Sequence, residues 1–519
     1  MPSPDRFELD IFNNILSGIA EEMGTRLMRS SFSPNIKERR DYSCAIFNSK
    51  GEMIAQAAHI PVHLGSMSFS VAAVLEEREI SNGDIFILND PFKGGTHLPD
   101  ITCVIPVFIG GKPYFYIAAR AHHTDVGGKT PGSMPLSTSI DEEGIIIAPT
   151  RIEKKGKPDK RLLKKLVAGM RNPQERFGDL NAQIAALETG AKRLRETARK
   201  YSVKTICNSA ERLVDYAEKM MREAIMKIPD GEYKFTDFLD DDGMGTKSIP
   251  VKATVNISGN EAVVDLSRSS PPVKGCVNAP FSVTTSAVLY AFQCLAPDDI
   301  PLNSGPLRAI KIVTGENSLL KARYPSAIAA GNVETSQRVA DTIFGALAKA
   351  VPEKIQAASA GTMNNITFGS GGGRNEREFV YYETIGGGMG GRQGADGVSA
   401  VQTHMTNTLN TPIEAIEREL PVRIESYSIR KNSGGKGKFC GGNGIVREYR
   451  FLEQAAVSII TERRKYRPWA IGDGEKGKSG KNFLIRGGKK TELKPKQSFK
   501  ARKGDILRVE TPGGGAWGK

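Results

Sequence analysis

Histidine and cysteine are scarce in this chain of 519 residues, at six each, and tryptophan occurs twice. No apolar run approaches the roughly 18 residues that a membrane span needs, so a membrane protein is not expected. The N-terminus, MPSPDRFELDIFNNILSGIAEEMG, has acidic residues where a secretory signal would have a basic start and an unbroken apolar segment, which places the chain in the cytoplasm. The six cysteines run from Cys44 to Cys440 without a CxxC spacing. That excludes a zinc knuckle and reads as reduced, packed thiols rather than a disulfide frame. Hydrophobic content of 39% and charged content of 25% are those of a soluble globular protein, too long for one core.

Charge of one sign is concentrated at one end. Residues 421–519 hold 24 Lys and Arg against 9 Asp and Glu, a net +15, so the other 420 residues sum to −1 of the total +14. A nucleic-acid face would interleave aromatics or bring a recognisable module. The stretch KSGKNFLIRGGKKTELKPKQSFKARKGD reads instead as short strands between Gly and Lys turns, with lysine guarding sheet edges.

The histidines are placed as unevenly. His59, His63, His97, His122 and His123 all precede residue 124. Before them, Phe7, Ile11, Ile15, Ile19, Met23 and Leu27 mark an amphipathic helix over residues 5–31. DYSCAIFNSKGEMIAQAAH predicts a hairpin in which Phe47 pairs with Glu52 and Asp41 stands across from Ala58, beside His59. GDIFILND and THLPDITCVIPVF, with a two-residue turn at Gly110 and Gly111, predict a second ribbon with Ile109 facing Lys112. That register sets His97 opposite Thr124, Leu98 opposite His123 and Pro99 opposite His122. THLPD and AHHTD therefore meet at one end.

The rest is α+β: helices over about 175–227 with weak points at Gly178 and Gly190, a β-rich part from 231 to about 325 with a helix near 284–294, a helix opening at Asn332, a capping box at Thr411, Pro412 and Glu414, and a β domain with 17 glycines. The expected division is 1–160 (α/β, metal site), 161–230 (helical), 231–420 (mixed) and 421–519 (basic, Gly-rich β).

Imidazole nitrogen and carboxylate oxygen are the donors for zinc, manganese or ferrous iron, and a catalytic site uses about three of them. Asp41, His59, His97, Asp100, His122, His123 and Asp125 offer such a set. On an extended strand His122 and His123 point to opposite faces, so only one of the two is expected as a ligand. DVGGKT at 125–130 and GGGMGGRQG at 386–394 suggest phosphate loops, but neither fits the strand–loop–helix pattern of a P-loop. Glycines that let backbone pass close to a ligand or another strand account for both.

RDYSCAIFNSKGEMIAQAAHIPVHLGSM, GDIFILNDPFKGGTHLPDIT, ARAHHTDVGG, NPQERFGDLNAQIAAL, GNVETSQRVADTIFGALA, THMTNTLNTPIEAIERELP and GGNGIVREYRF together resemble the hydantoinase B and 5-oxoprolinase family over essentially the whole chain. The resemblance implies one half of an ATP-dependent cyclic-amide hydrolase. A hydantoinase A-type partner binds ATP and phosphorylates a lactam or hydantoin, and this chain hydrolyses the product within a hetero-oligomer. Carried over from the family, the metal, zinc or manganese, falls on Asp41, His97 and His122. Asp125, Asp100 or His123 then handles the proton, and Gly127 and Gly128 leave room for a substrate. The same likeness extends to the alpha subunits of acetone and acetophenone carboxylases, a second implied reading. The tail GGGAWGK and the CGGNG segment depart from the family pattern, and the basic end gains a docking role for the partner or a phosphorylated intermediate.

Overall fold

The computed structural model describes residues 6–57, 59–77, 79–370 and 378–518. The first helix, α1 (Arg6–Ser30), forms where expected, and Ile19, Met23 and Leu27 of the expected stripe are buried, but in its first half Leu9, Phe12 and Leu16 take the buried face. Phe7 and Ile11 are exposed. A strict spacing of four advances about 400° per step and so drifts off one face, whereas mixed three- and four-residue steps stay on it.

A one-turn helix α2 (Pro34–Lys37) leads into β1 (Tyr42–Asn48) and β2 (Met53–Gln56). Then come α3 (Met67–Leu75), β3 (Ile85–Leu88), β4 (Asp100–Ile109), β5 (Lys112–His122), β6 (Thr150–Lys154) and β7 (Lys157–Pro158). The seven strands form one sheet in the order β2-β1-β5-β4-β3-β6-β7. Alternation sorts its side chains: Cys44 and Ile46 join the core under α1, while Ala45 and Phe47 join the one under α3. Helix α4 (Lys160–Val167) precedes two long helices, α5 (Pro173–Tyr201) and α6 (Val203–Ile225). Gly178 and Gly190 do not interrupt α5. A Cβ would meet Phe32 at 2.5 Å at the first and Met23 Sδ at 2.4 Å at the second, so both glycines admit a close neighbour.

Both ribbon registers differ from expectation, and each contains a bulge. The second ribbon starts with Ile109 opposite Lys112, shifts between Val107 and Phe108, and so brings Asp100, not Pro99, opposite His122. The first is one residue longer at its turn, so that Phe47 pairs with Met53, and it shifts once more between Ile46 and Phe47. The expected partner of Asp41, Ala58, lies outside the described residues. Asp41 is instead aligned by β5, its carbonyl accepting from His122 N at 3.0 Å.

The middle of the chain builds a second sheet from β8 (Gly231–Asp241), β9 (Lys247–Ser258), β10 (Glu261–Asp265) and, after α7 (Phe281–Gln293), β11 (Ile310–Val313). Helix α8 (Ser336–Leu347) packs on it, and the turn before α8, Gly331–Thr335, is wound as π-helix. Next come β12 (Asn365–Gly369), β13 (Val380–Glu383), α9 (Ile413–Glu419), β14 (Val422–Arg430), β15 (Gly444–Phe451), β16 (Ala455–Ile460), β17 (Lys481–Arg486), β18 (Lys489–Leu493), β19 (Lys496–Ala501) and β20 (Ile506–Glu510). These make two sheets, β13-β12-β16-β19 and β14-β15-β20-β17-β18, around a shared core of Phe368, Tyr449, Phe451, Val457 and Leu507. β12 and β13 precede residue 420 yet pair within a sheet completed after it. Pro412 stands just before α9 without a side-chain cap, in place of the expected capping box. The edge strand β18 exposes Lys489 and Lys490, as expected for a guarded edge.

Among the described residues the cysteines are free, and no helix is long and apolar enough to cross a membrane. The fold is mixed α+β.

Candidate metal centre

The bulged second ribbon ends at the centre of the molecule. His97 comes from the loop before β4, Asp100 opens β4 and His122 closes β5. Their donor atoms lie within 4.8 Å of one another, and all three residues are buried. His97 Nε2 and Asp100 Oδ1 are 3.3 Å apart. These two atoms and His122 Nε2 have no hydrogen-bond partner. Three buried polar atoms left open at one point would cost stability in an isolated chain and are what a cation would satisfy.

The surrounding residues hold that arrangement. His97 Nδ1 lies 3.2 Å from Ala329 O, a pure acceptor, so Nδ1 carries the proton and Nε2 presents its lone pair. Thr96 Oγ1, Asn332 Nδ2 and His63 Nε2 gather on Asp100 Oδ2 at 2.6, 3.1 and 3.3 Å, which leaves Oδ1 open. Asn35 Nδ2 holds His122 O at 2.7 Å, and Tyr382 stacks on the His122 ring at 4.5 Å. Glu143 Oε1 accepts from the N–H groups of Ile328 and Ala329, fixing the peptide that meets His97.

Electrostatics keep Asp100 ionised and His122 neutral, as ligation needs, while His97 leans towards its protonated form. Burial raises the Asp100 carboxyl, but His97 and His63 outweigh it and hold it well below the carboxylate range. Burial, then the neighbouring His97, keeps His122 neutral, well below its ordinary value. For His97, burial pulls down but the Asp100 charge prevails and raises it. Asp41 lines the same cavity, and burial lifts its carboxyl to about 7 against the pull of Arg39. The void is about 20 Å³, room for one water. Ile60, Val62, Val333, Met363 and Met405 form its apolar wall, and Asp41, His63, Asn332, Tyr382, Thr384 and Thr406 its polar one.

The structure thus brings Asp41, His97, Asp100 and His122 together and turns the other expected residues elsewhere. His123 faces α5, where Nε2 meets Gln183 Oε1 at 2.8 Å, and burial takes its imidazole to about 4. Asp125 accepts from the N–H groups of Gly127, Gly132 and Arg171 and from the Arg171 guanidinium, which ties its loop down. His59 takes the N–H of Cys44 and packs on Tyr42. Gly127 and Gly128 do not open space for a ligand: a Cβ there would stand 2.5 Å from Gly169 O and from Glu143 O. The glycines of 386–394 likewise serve backbone packing, since a Cβ on Gly388 would stand 1.9 Å from Gly442 O.

Asn35, Arg39, Thr384 and Asn332 are the site residues that sequence reasoning missed. Only Asn332 stood in a noted feature, a helix start.

Known proteins resemble this chain along nearly its whole length. The chain is 40% identical to an uncharacterized protein of Methanocaldococcus jannaschii, over 99% of this chain and 91% of that protein. It is 39% identical to 5-oxoprolinase 1 of Arabidopsis thaliana over 99% of this chain, but it spans only 42% of that longer protein. Among solved structures, the ATP-dependent caprolactamase from Pseudomonas jessenii superposes with a TM-score of 0.92 at 28% identity, covering 99% of this chain and 91% of that one. The family model described as hydantoinase B/oxoprolinase matches residues 5–519, and the chain belongs to that family.

Proposed function

We propose that this chain is the hydrolytic, B-type subunit of an ATP-dependent cyclic-amide hydrolase. Its substrate is a lactam or hydantoin whose amide oxygen a hydantoinase A-type partner has phosphorylated, with ATP held by that partner. The observation that carries this reading is the convergence of three buried, unpartnered donor atoms on His97, Asp100 and His122. Two imidazole nitrogens and a carboxylate oxygen fit zinc or manganese, and Asp41 adds a second carboxylate from the cavity wall. When bound, such a cation polarises the reacting oxygen and lowers the pKa of water towards about 7.

The chain's own residues supply orientation and dryness. Ala329 and the three groups on Asp100 Oδ2 fix the direction in which the donors point, so little reorganisation is left for the reaction itself. The apolar wall of Ile60, Val62, Val333, Met363 and Met405 keeps bulk water from the donors, and a void with room for one water means that a ring must widen it on entry.

The test is reconstitution with an A-type partner, screening 5-oxoproline, N-methylhydantoin and hydantoin for substrate-dependent ADP release and ring-opened product. Ring opening that disappears in Asp41→Ala and His97→Ala supports the reading. Less than about a tenth of an equivalent of metal in the gently purified chain, together with full activity of those variants, overturns it.

A further inference from the structure

The void beside the donors measures about 20 Å³, and the open atoms of His97, Asp100 and His122 are shielded from solvent. A cation can reach them, and a ring can follow, only if part of the wall moves. The pieces of that wall are held in different ways. Asp100 and His122 stand on strands of the seven-stranded sheet, with Asp41 directly before β1, and Tyr382 and Thr384 stand on or directly beside β13. Asn332 and Val333 belong to the wholly buried turn before α8. Met363 is clamped between Glu334, which accepts its N–H, and Ile385, whose N–H its carbonyl accepts. Two irregular segments complete the wall.

One of them supplies Ile60, Val62 and His63, and it is fastened to β1. Cys44 N donates to His59 Nδ1, and Ser43 Oγ meets Ile60 N at 3.2 Å and His63 Nδ1 at 2.9 Å. No residue of 59–66 is exposed. The other supplies Met405 and Thr406 and has no regular structure between the bridge at Val401 and α9. Two posts hold it. At the first, His404, which has a φ of +56°, sets Nε2 3.1 Å from Asp341 Oδ1 on α8. At the second, Asn410 Nδ2 donates to Glu383 Oε1 and Thr384 O, and Asn410 Oδ1 accepts from Tyr427. Between the posts Met405, Thr406 and Thr408 are buried, while Asn407 and Leu409 face solvent. Among the described residues two backbone hydrogen bonds tie this span to the rest, Val62 N to Met405 O at 3.2 Å and Leu409 N to Arg39 O at 3.0 Å. Side chains add Asn407 Nδ2 to His59 O at 3.1 Å, and Thr408 Oγ1, which meets Arg39 Nη2, Thr384 Oγ1 and Thr406 Oγ1. These are single hydrogen bonds that water can replace, and with solvent behind it the span has room to retreat.

We propose that residues 405–409 form a strap that opens to admit the cation and the ring, pivoting on His404 and Asn410, while the 59–66 loop stays on β1. This rests on the reading that the donors take up a cation.

The experiment reads opening in the full chain twice, once without metal. Met405→Cys places a thiol on the buried side of the strap, and its alkylation by iodoacetamide in the metal-free protein, followed by peptide mass, reports the open form. Asn407 is exposed, so Asn407→Ala removes one bond and leaves the core intact. Added to Met405→Cys, it should speed alkylation about fivefold, whereas Ser43→Ala, which loosens the other loop, should not. With Mn²⁺, a metallochromic indicator and no partner, Asn407→Ala alone should raise the rates of uptake and release by the same factor of about five and leave the equilibrium affinity unchanged, because a gate alters access and not the donors. An alkylation rate that Asn407→Ala does not change, or that Ser43→Ala raises as much, overturns the strap. Faster alkylation in a chain that never binds Mn²⁺ keeps the strap and sinks the metal reading, so the two ideas fail separately.

Discussion

Two buried charge clusters lie in this molecule, and they are built on opposite plans. One joins the second sheet to the C-terminal pair of sheets: Asp237 on β8, Arg338 and Asp341 on α8, Glu462 and Arg463 after β16, and Lys496 on β19. Arg338 reaches Asp237 at 3.1 Å and Glu462 at 3.5 Å, Arg463 reaches Asp237 at 2.8 Å and also Asp341, and Lys496 holds Glu462. Three carboxylates meet three cations. The other cluster, at the end of β4 and β5, leaves three donor atoms open. Burial is as complete in both. The first carries its charges paired, and the open donors of the second support the proposal that it takes up a cation.

Breaking the open cluster should produce the largest functional effect. His97→Gln or Asp100→Asn, which keeps the bulk and, for Asp100, an oxygen for its three partners, is expected to lower turnover of the reconstituted complex by more than about a hundredfold and to strip the metal, measured by elemental analysis, with a much smaller change in the metal-free unfolding midpoint. A fall in stability as large as the fall in activity would contradict the contrast.

Breaking the closed cluster should do the reverse. Arg463→Met leaves Asp237 and Asp341 short of a counter-charge and should cost about 3–5 kcal/mol in denaturant unfolding. Wild-type stability in that variant would mean the network holds nothing together.

A smaller effect sharpens the boundary of the site. Glu143→Ala releases the peptide that fixes His97 and should weaken metal binding about 10- to 100-fold, with Glu143→Gln recovering part of it.

The smallest effect is a pH dependence of the metal-free chain. Burial raises the carboxyl of Glu143 to about 7 and that of Glu334 to about 8. The folded state then binds protons that the unfolded chain releases near pH 4, so the stability these two groups supply is lost as pH rises to about 8, whereas the buried histidines, held neutral, act in the opposite sense only below about pH 6.5. Thermal unfolding compared at about pH 6.5 and 8 should show the decline, and the double variant Glu143→Gln, Glu334→Gln should lessen it.

How far the sequence could be read depended on distance along the chain. THLPD and AHHTD are joined by one ribbon, so their meeting was legible from a two-residue turn. The bulge at Val107 and Phe108 was not, because nothing in the run VIPVF marks which residue will be left over, and it moved Asp100 opposite His122. Asp41 stood in the donor set and became a ligand only through family likeness, and its alignment comes from β1 lying beside β5, a pairing across some 75 residues. Arg39, Thr384, Thr406 and Asn332 were illegible as site residues because more than 200 residues separate the parts that assemble. The glycines misled in one place: Gly127 and Gly128 looked like room for a ligand and are room for neighbouring backbone. Sheet partnership across residue 420 was equally hidden, since alternation announces a strand but not its neighbour.

The π-wound turn Gly331–Thr335 gives the site a dependence on counting as well as on chemistry. It fits one more residue into a turn than a regular helix does, and Gly331 allows it by passing Asn278 O where a Cβ would stand 1.9 Å away. Shortening that segment by a single residue would let it relax to an ordinary helix and swing Asn332 by about 100° from Asp100 without altering one side chain. Alignment of the metal centre is in this sense a matter of phase, set where the helix begins and carried to a carboxylate 232 positions earlier.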